Sequence, residues 1–209
     1  MKKILFLFTT IILLCSCTTQ TTNPYEFIPE KNKPNGISID DSSITTQNID
    51  YYLFRDDVIY VDLRPYSWVA YDGYIAGFSF FPYYDFFAHH TLKDRLFYME
   101  GSKGTVGSFI PNYVESEAVI ASLFPKDKYI FAISQSGDEC YYFFNLLIQC
   151  GYDVSKLYNI GGFANDAGFK HIAYKNLENP KYLVEGNRFI DTQSNVTLNF
   201  MKNLTPIEE

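Results

Sequence analysis

The sequence predicts an α/β fold with a mostly parallel sheet that is flanked by helices. Short apolar runs at 58–61 and 129–133 are bounded by polar residues, which is typical of strands buried on both faces. Segments with helical spacing, at 114–124 and 140–149, lie between such runs, and this alternation favours a parallel sheet. A chain of 209 residues, 47% of them hydrophobic, can bury one such core.

The individual elements are expected from residue 48 onwards. In chain order they are a short helix at 48–54, strands at 58–61 and 78–82, a helix at 114–124, a strand at 129–133, a helix at 140–149 and a strand ending at 160. Gly151 suits the end of the last helix, because glycine adopts the left-handed conformation common there. The C-terminal extension, 176–209, contains alternating residues at 182–190 that suggest a hairpin.

Residues 1–16 are predicted to be a lipoprotein signal peptide. Two lysines precede the apolar stretch 4–14, which is too short to cross a bilayer core of about 30 Å as a helix. The next residues, Leu14-Cys15-Ser16-Cys17, resemble the bacterial lipobox. This resemblance implies cleavage after Ser16 and lipidation of Cys17 with acyl chains such as palmitate. An ordinary secretory signal is the alternative.

Lipidation of Cys17 would place the chain at the cell membrane or outer envelope, on the extracytoplasmic side. Two or three acyl chains anchor a protein stably. Residues 17–47 are rich in Thr, Asn, Pro, Ser and Asp and are predicted to form a flexible tether. Loss of residues 1–16 removes two lysines and no acid, so the formal charge changes from −7 to −9. This negative charge argues against nucleic acid as a partner.

Four motifs, taken in order, resemble the rhodanese-like (sulfurtransferase) family. Val61-Asp62-Leu63-Arg64 is similar to the first-strand signature of the family. Residues 73–78 are similar to its Gly-His-Ile-Pro-Gly-Ala motif, with Tyr, Ala and Phe in place of His, Pro and Ala. Residues 130–139 are similar to the strand and active-site loop, and 151–163 to the closing Gly-Tyr and Gly-Gly pattern. The resemblance assigns a domain to 48–175. It implies a small doubly wound fold, with a ligand loop at the carboxyl end of a strand, where α/β sheets bind ligands.

The loop departs from the family at the positions that carry its chemistry. Family members begin the loop with a cysteine that carries sulfur as a persulfide, and they bind anionic donors with basic loop residues. Here the loop is Ser134-Gln135-Ser136-Gly137-Asp138-Glu139. A hydroxyl cannot form a persulfide, and the two acids repel anions. Acids in the first helical turn also stabilise a helix by about 0.3–1 kcal/mol each, and Ser136 or Asp138 is the expected N-cap. The loop is therefore interpreted as a vestigial active site.

Other nucleophiles and metal ligands are weakly supported by the sequence. Cys140 is the alternative nucleophile, but it lies on an apolar helical stripe, which favours a buried and inert thiol. Ser134 would need a general base, and nothing places His89, His90 or His171 beside it. No metal site and no cofactor are predicted. Cys140 and Cys150 lie too far apart along one helix, about 15 Å, to form a disulfide.

Asp62 and Arg64 suggest catalysis, yet a structural pairing of Arg64 with Asp62 or Asp72 explains them better.

Three functions remain open at this stage. The first is a membrane-anchored, inactive rhodanese-like pseudoenzyme that acts as a binding module for a protein or a small anionic ligand. The second is an enzyme, either a divergent sulfurtransferase that uses Cys140 or an unrecognised hydrolase. The third is a structural envelope lipoprotein whose C-terminal extension pairs with another chain.

Overall fold

The computed structural model describes residues 25–101, 107–166, 170–187 and 199–207. The predicted signal peptide (1–16) and Cys17 lie outside these residues. The helices are α1 (Tyr66–Asp72), α2 (Ser116–Leu123) and α3 (Asp138–Gln149). The strands are β1 (Val58–Asp62), β2 (Tyr74–Ile75), β3 (Ser79–Phe80), β4 (Ala88–His89), β5 (Phe97–Met99), β6 (Phe109–Pro111), β7 (Tyr129–Ser134), β8 (Leu157–Gly162) and β9 (Leu183–Val184). Short turns of 3₁₀ or π helix connect several of them.

A parallel sheet of four strands forms the centre, in the order β3-β1-β7-β8. This confirms the α/β class and the strands predicted at 58–61 and 129–133. The strand predicted at 78–82 is shorter and consists of Ser79–Phe80. None of the helices in the described ranges has the length and apolarity needed to span a membrane.

Both faces of this sheet are buried, which explains why its strands are continuous apolar runs. In β7, Ile130 and Ala132 face the cluster that contains residues of α2 and α3, while Phe131 and Ile133 face the opposite cluster. The first face is covered by α2, α3 and the small sheet β4-β5-β6. The second face is covered by shorter segments, including the 3₁₀ turns at Ile49–Tyr51 and Tyr174–Asn176.

The N-terminal segment (25–47) packs on the domain, and this corrects the flexible tether assigned to 17–47. Ile44 is completely buried. The Thr46 N–H donates to the Ile160 carbonyl at 2.9 Å, and the Tyr158 hydroxyl donates to the Pro29 carbonyl at 2.7 Å. The segment thus covers the edge strand β8, whose exposed backbone groups would otherwise invite pairing with another chain. The polar composition of residues 25–47 did not predict this packing, because few apolar side chains are needed to cover one strand.

Lys31 ties the same segment to the turn that precedes β8. Its ammonium donates to the carbonyls of Gly36 and of Val154, the latter at 3.0 Å. Burial lowers the pKa of Lys31 to about 8, and the nearby carboxylates of Asp41 and Asp153 act in the opposite direction. The domain boundary predicted at residue 48 therefore moves towards the N-terminus.

The other predicted elements agree with the structure in position and differ in extent, whereas α1, β4, β5 and β6 were not predicted. The predicted helix at 48–54 is a 3₁₀ turn at Ile49–Tyr51, and the helix predicted from residue 140 begins at Asp138. Gly151 follows α3 with a φ of 80°, as expected of a terminating glycine. In the predicted hairpin at 182–190, β9 pairs antiparallel with β2. Residues 188–190, its expected second arm, lie outside the described residues.

We expect Ile44→Ala to destabilise the domain by about 2–5 kcal/mol, because it removes a fully buried aliphatic side chain. Ile110→Ala is the matched control, since Ile110 is 44% exposed and should cost less than about 0.5 kcal/mol. Urea unfolding of the purified chain measures both values. Equal stabilities of the two variants would show that the N-terminal segment does not belong to the folded domain.

Candidate functional site

The candidate site is the loop between β7 and α3. Ser134 is the last residue of β7, and Asp138 is the first residue of α3. Strand β1 ends at Asp62 and β8 ends at Gly162, so the ends of three parallel strands meet at this edge. Ligands of open α/β sheets bind at the carboxyl edge. The structure thus brings the loop predicted from the sequence to the position where a ligand site is expected.

The Ser134 hydroxyl is enclosed by its own loop. Ser134 is completely buried, and its Oγ accepts the Gly137 N–H at 2.9 Å. Its carbonyl accepts the Phe163 N–H at 2.8 Å, which joins the loop to the segment after β8. Burial raises the pKa of the Cys140 thiol, and a side-chain interaction with Ser134 acts in the opposite direction. These contacts use the hydroxyl to hold the loop in shape.

Gly137 is the N-cap of α3, which corrects the expectation that Ser136 or Asp138 has this position. Gly137 has a φ of 93°, a conformation that side chains rarely adopt. A Cβ atom added there would lie only 2.7 Å from Cδ1 of Ile39. Ser136 bonds instead to the Asp138 side chain, with 2.9 Å between Oγ and Oδ2. The tight turn selects glycine, so no capping side chain is available.

The acids at the start of α3 make this edge electronegative. Asp138 and Glu139 occupy the first turn, as predicted. Burial, followed by the negative charge of Glu139, raises the pKa of Tyr84 to about 12. Oε2 of Glu139 is buried, and no hydrogen-bond partner for it is found in the part of the chain that the structure describes. The site therefore disfavours a small anion and suits a group that donates hydrogen bonds.

Asp62 and Arg64 form a buried ion pair beside the loop. Both side chains have no exposed area, and Nη2 of Arg64 lies 2.6 Å from Oδ2 of Asp62. The same Nη2 donates to the Gly73 carbonyl at 2.8 Å, and the guanidinium carbon lies 3.7 Å from the centre of the Phe163 ring. Burial raises the pKa of Asp62, and the bonds from Arg64 act against this rise. These contacts indicate a structural role.

Two buried polar atoms near this ion pair were not foreseen from the sequence. Nη1 of Arg64 and Oε1 of Gln135 have no hydrogen-bond partner within the described ranges. Asp62 of β1 is in register with Ile133 of β7, and Arg64 and Gln135 each follow two residues later in the chain. Both residues therefore lie just beyond the carboxyl ends of neighbouring strands. Nε2 of Gln135 lies 3.4 Å from Asp72, whose carboxylate also pairs with Lys175 at 2.8 Å. A buried donor and acceptor of this kind suit a bridging water or another polar group.

The structure also places the other candidate nucleophile and two of the three predicted histidines. Cys140 is completely buried, and burial raises the pKa of its thiol well above the ordinary value. Cys150 is half-buried and also free, with a pKa raised to about 11, mainly by burial. His89 accepts N–H groups of its own turn, and His171 bonds to Asp40 at 3.1 Å. No cluster of three potential metal ligands occurs among the described residues.

A separate apolar cavity lies away from the loop. Its volume is about 280 Å³, and it opens between α1, β3 and α2. The lining is mainly aromatic and aliphatic, including Phe80, Phe81 and Leu123. None of the six loop residues contributes to it. The cavity is therefore separate from the loop between β7 and α3.

No protein-family model, no curated protein and no solved structure matches this chain. The likeness to the rhodanese-like family remains the one carried by the sequence motifs.

We expect Arg64→Met to destabilise the domain by about 3–5 kcal/mol, because it leaves the Asp62 carboxylate buried without a counter-ion. Arg55→Met is the matched control. Arg55 pairs with Asp57 at 2.9 Å, but the Asp57 side chain is 47% exposed, so the cost should be about 1 kcal/mol or less. Thermal and urea unfolding measure both variants. A similar cost for both would rule out a structural role for the buried pair.

Proposed function

We propose that this chain is a lipid-anchored, extracytoplasmic domain of the rhodanese-like type that binds a partner and does not transfer sulfur. One observation carries the proposal. Ser134 stands at the first position of the loop, is completely buried, and accepts the Gly137 N–H with its hydroxyl. The loop therefore keeps a closed geometry around a side chain that cannot hold a persulfide.

The positions of the sequence motifs in the fold support the family assignment. Asp62 and Arg64 lie at the carboxyl end of β1, Gly73 immediately precedes β2, and Gly161 with Gly162 ends β8. All of these positions adjoin the loop or the ion pair beside it. Such an arrangement is compatible with a small doubly wound domain whose motifs are retained for the shape of one edge.

The anchor is proposed from the sequence of residues 1–17. A positive start, an apolar stretch and Leu14-Cys15-Ser16-Cys17 are typical of bacterial lipoproteins. Acyl chains on Cys17 would hold the domain at the cell membrane or outer envelope. The membrane is thus one partner of the protein, reached through the lipid.

A protein is favoured over a small anion as the partner of the loop. Asp138 and Glu139 repel anions at the helix start, and Glu139 has a buried oxygen with no partner among the described residues. A protein surface that brings positive charge would compensate the charge of these two acids.

The third function, a structural lipoprotein that pairs through its C-terminal extension, is less well supported. The Val114 N–H donates to the Thr205 carbonyl at 3.0 Å, and the Ile207 N–H donates to the Asn112 carbonyl at 2.9 Å. Strand β9 pairs with β2 of the same chain. These backbone groups of the extension are therefore already used within the chain.

Sulfur transfer from thiosulfate to cyanide tests the proposal directly. The full chain in detergent should produce no more thiocyanate than its Ser134→Ala variant, because a hydroxyl cannot accept the sulfur. Ser134→Cys should acquire a persulfide, with release of sulfite, because the Gly137 N–H would then donate to the sulfur. Adding Asp138→Asn and Glu139→Gln should speed this reaction by removing two charges that repel thiosulfate. The persulfide is detected as added mass.

Turnover by the wild-type chain above the Ser134→Ala level would overturn the inactive assignment. A Ser134→Cys chain that folds but gains no persulfide, with or without the two amide substitutions, would overturn the rhodanese-like assignment of the loop.

Alkylation separates this proposal from catalysis by Cys140. Because burial raises the pKa of its thiol, Cys140 should resist iodoacetamide in the folded chain at neutral pH and react only after denaturation. Cys150 is the internal control, since it is half-buried and should react slowly but measurably. Peptide mass mapping gives both rates. Faster labelling of Cys140 than of Cys150 would favour the divergent sulfurtransferase.

A further inference from the structure

A group of exposed aromatic rings lies outside the site already described. Phe27, Tyr51 and Phe54 have exposed fractions of 75%, 58% and 59%. We call these three residues the aromatic patch. Such exposure is expensive in water for rings of this size, and contiguous exposed apolar surface marks an interaction site.

The patch is held in place by ordered contacts. The rings of Tyr25 and Tyr51 stack with 4.1 Å between their centres, and Phe54 packs edge-on to Tyr182 at 5.2 Å. Nη1 of Arg55 donates to the Glu26 carbonyl at 2.8 Å, which fixes the chain beside Phe27. The rings are therefore presented on a rigid surface, which lowers the entropy lost on binding.

Phe54 adopts a backbone conformation that is unusual for its type. Its φ is 61°, in the left-handed region, where non-glycine residues are uncommon. Its ring lies beside Gly77, at a distance that leaves no room for a Cβ atom on that glycine. The fold thus accepts backbone strain at the residue that presents an exposed ring.

The patch and the loop lie at opposite ends of the sheet. Residues 51–54 shortly precede β1, which begins at Val58, so they lie at the amino end of this strand. The loop follows the carboxyl end of β7, which runs parallel to β1. Strands of five or six residues separate the two ends by about 17–20 Å.

The chain length before the patch brings it close to the anchor. Seven residues, 18–24, separate Cys17 from Tyr25 in the sequence. A chain of this length spans at most about 28 Å even when fully extended. Any bilayer that holds acyl chains on Cys17 must therefore lie within this distance of Tyr25, which stacks on the patch residue Tyr51.

We infer that the aromatic patch docks on the surface of the bilayer that holds the lipid of Cys17, an inference that rests on the proposed lipid anchor. Tyr side chains concentrate at membrane interfaces, and Phe side chains insert at the boundary between headgroups and acyl chains. The ammonium of Lys181 lies 4.9 Å from the centre of the Tyr182 ring and is available to lipid phosphate. Glu26 and Asp50 lie next to the patch, so zwitterionic lipids suit it better than anionic ones.

Docking in this way would set the orientation of the whole domain. With the amino ends of the strands on the bilayer, the loop at 134–139 would face away from the membrane. A partner in the envelope space could then reach the loop without competing with lipid.

Fluorescence quenching by brominated lipids tests the inference. The lipidated full chain is added to vesicles of zwitterionic phosphatidylcholine with brominated acyl chains. The single tryptophan, Trp68, is first removed by the substitution Trp68→Phe. Probes are then introduced as Phe27→Trp and Tyr51→Trp on the patch, and as Ile110→Trp on the opposite side of the central sheet, where β6 packs. All three probe positions are exposed, the control position by 44%, so all three substitutions should be tolerated. Mass spectrometry confirms the acylation of Cys17 in each sample.

The two patch probes should lose fluorescence and shift to shorter wavelength on the vesicles, while the probe at position 110 should change little. Vesicles that contain anionic lipid should weaken the effect. If the chains are acylated but the patch probes are quenched no more than the control probe, the proposed docking surface is wrong and the proposed anchor stands. Cys17 without acyl chains would overturn both the anchor and the docking surface.

Discussion

The buried ion pair of Asp62 and Arg64 is the interaction on which the carboxyl edge of the sheet depends. Arg64 joins the end of β1 to the Gly73 carbonyl before β2 and to the Phe163 ring after β8. Removing two charges from water is costly, and the cost is offset only when every bond is well made. The Arg64 side chain therefore constrains three chain segments at once, and its remaining buried nitrogen points to one more polar contact.

The loop inherits its shape from this edge. Phe163 lies against Arg64 and also donates its N–H to the Ser134 carbonyl, so the ion pair and the loop are coupled through one residue. Ser134 then closes the loop on Gly137. Together these contacts fix the form of the loop. Under the proposed function, the loop presents a surface that binds a partner.

The N-terminal segment connects the two ends of the molecule. It starts beside the aromatic patch, where Tyr25 stacks on Tyr51, and continues along β8, where Pro29 accepts the Tyr158 hydroxyl. Ile39 then contacts the turn at Gly137. The segment predicted to be a flexible tether thus reaches from the proposed membrane side to the loop. Any force on the proposed anchor would therefore act on a segment that is packed against the domain.

From the sequence alone, the strands of the central sheet and the helices α2 and α3 could be predicted, together with the position of the loop between β7 and α3. Apolar runs and helical spacing locate β1, β7 and α3, because burial on both faces leaves a strong local pattern. The sequence also shows that the loop begins with Ser134, whose hydroxyl cannot carry sulfur as a persulfide. The folded structure was needed to show that residues 25–47 pack on the domain, that Arg64 pairs with Asp62 rather than Asp72, and that Gly137 is the N-cap of α3. These outcomes depend on contacts between distant parts of the chain, and local composition does not encode them.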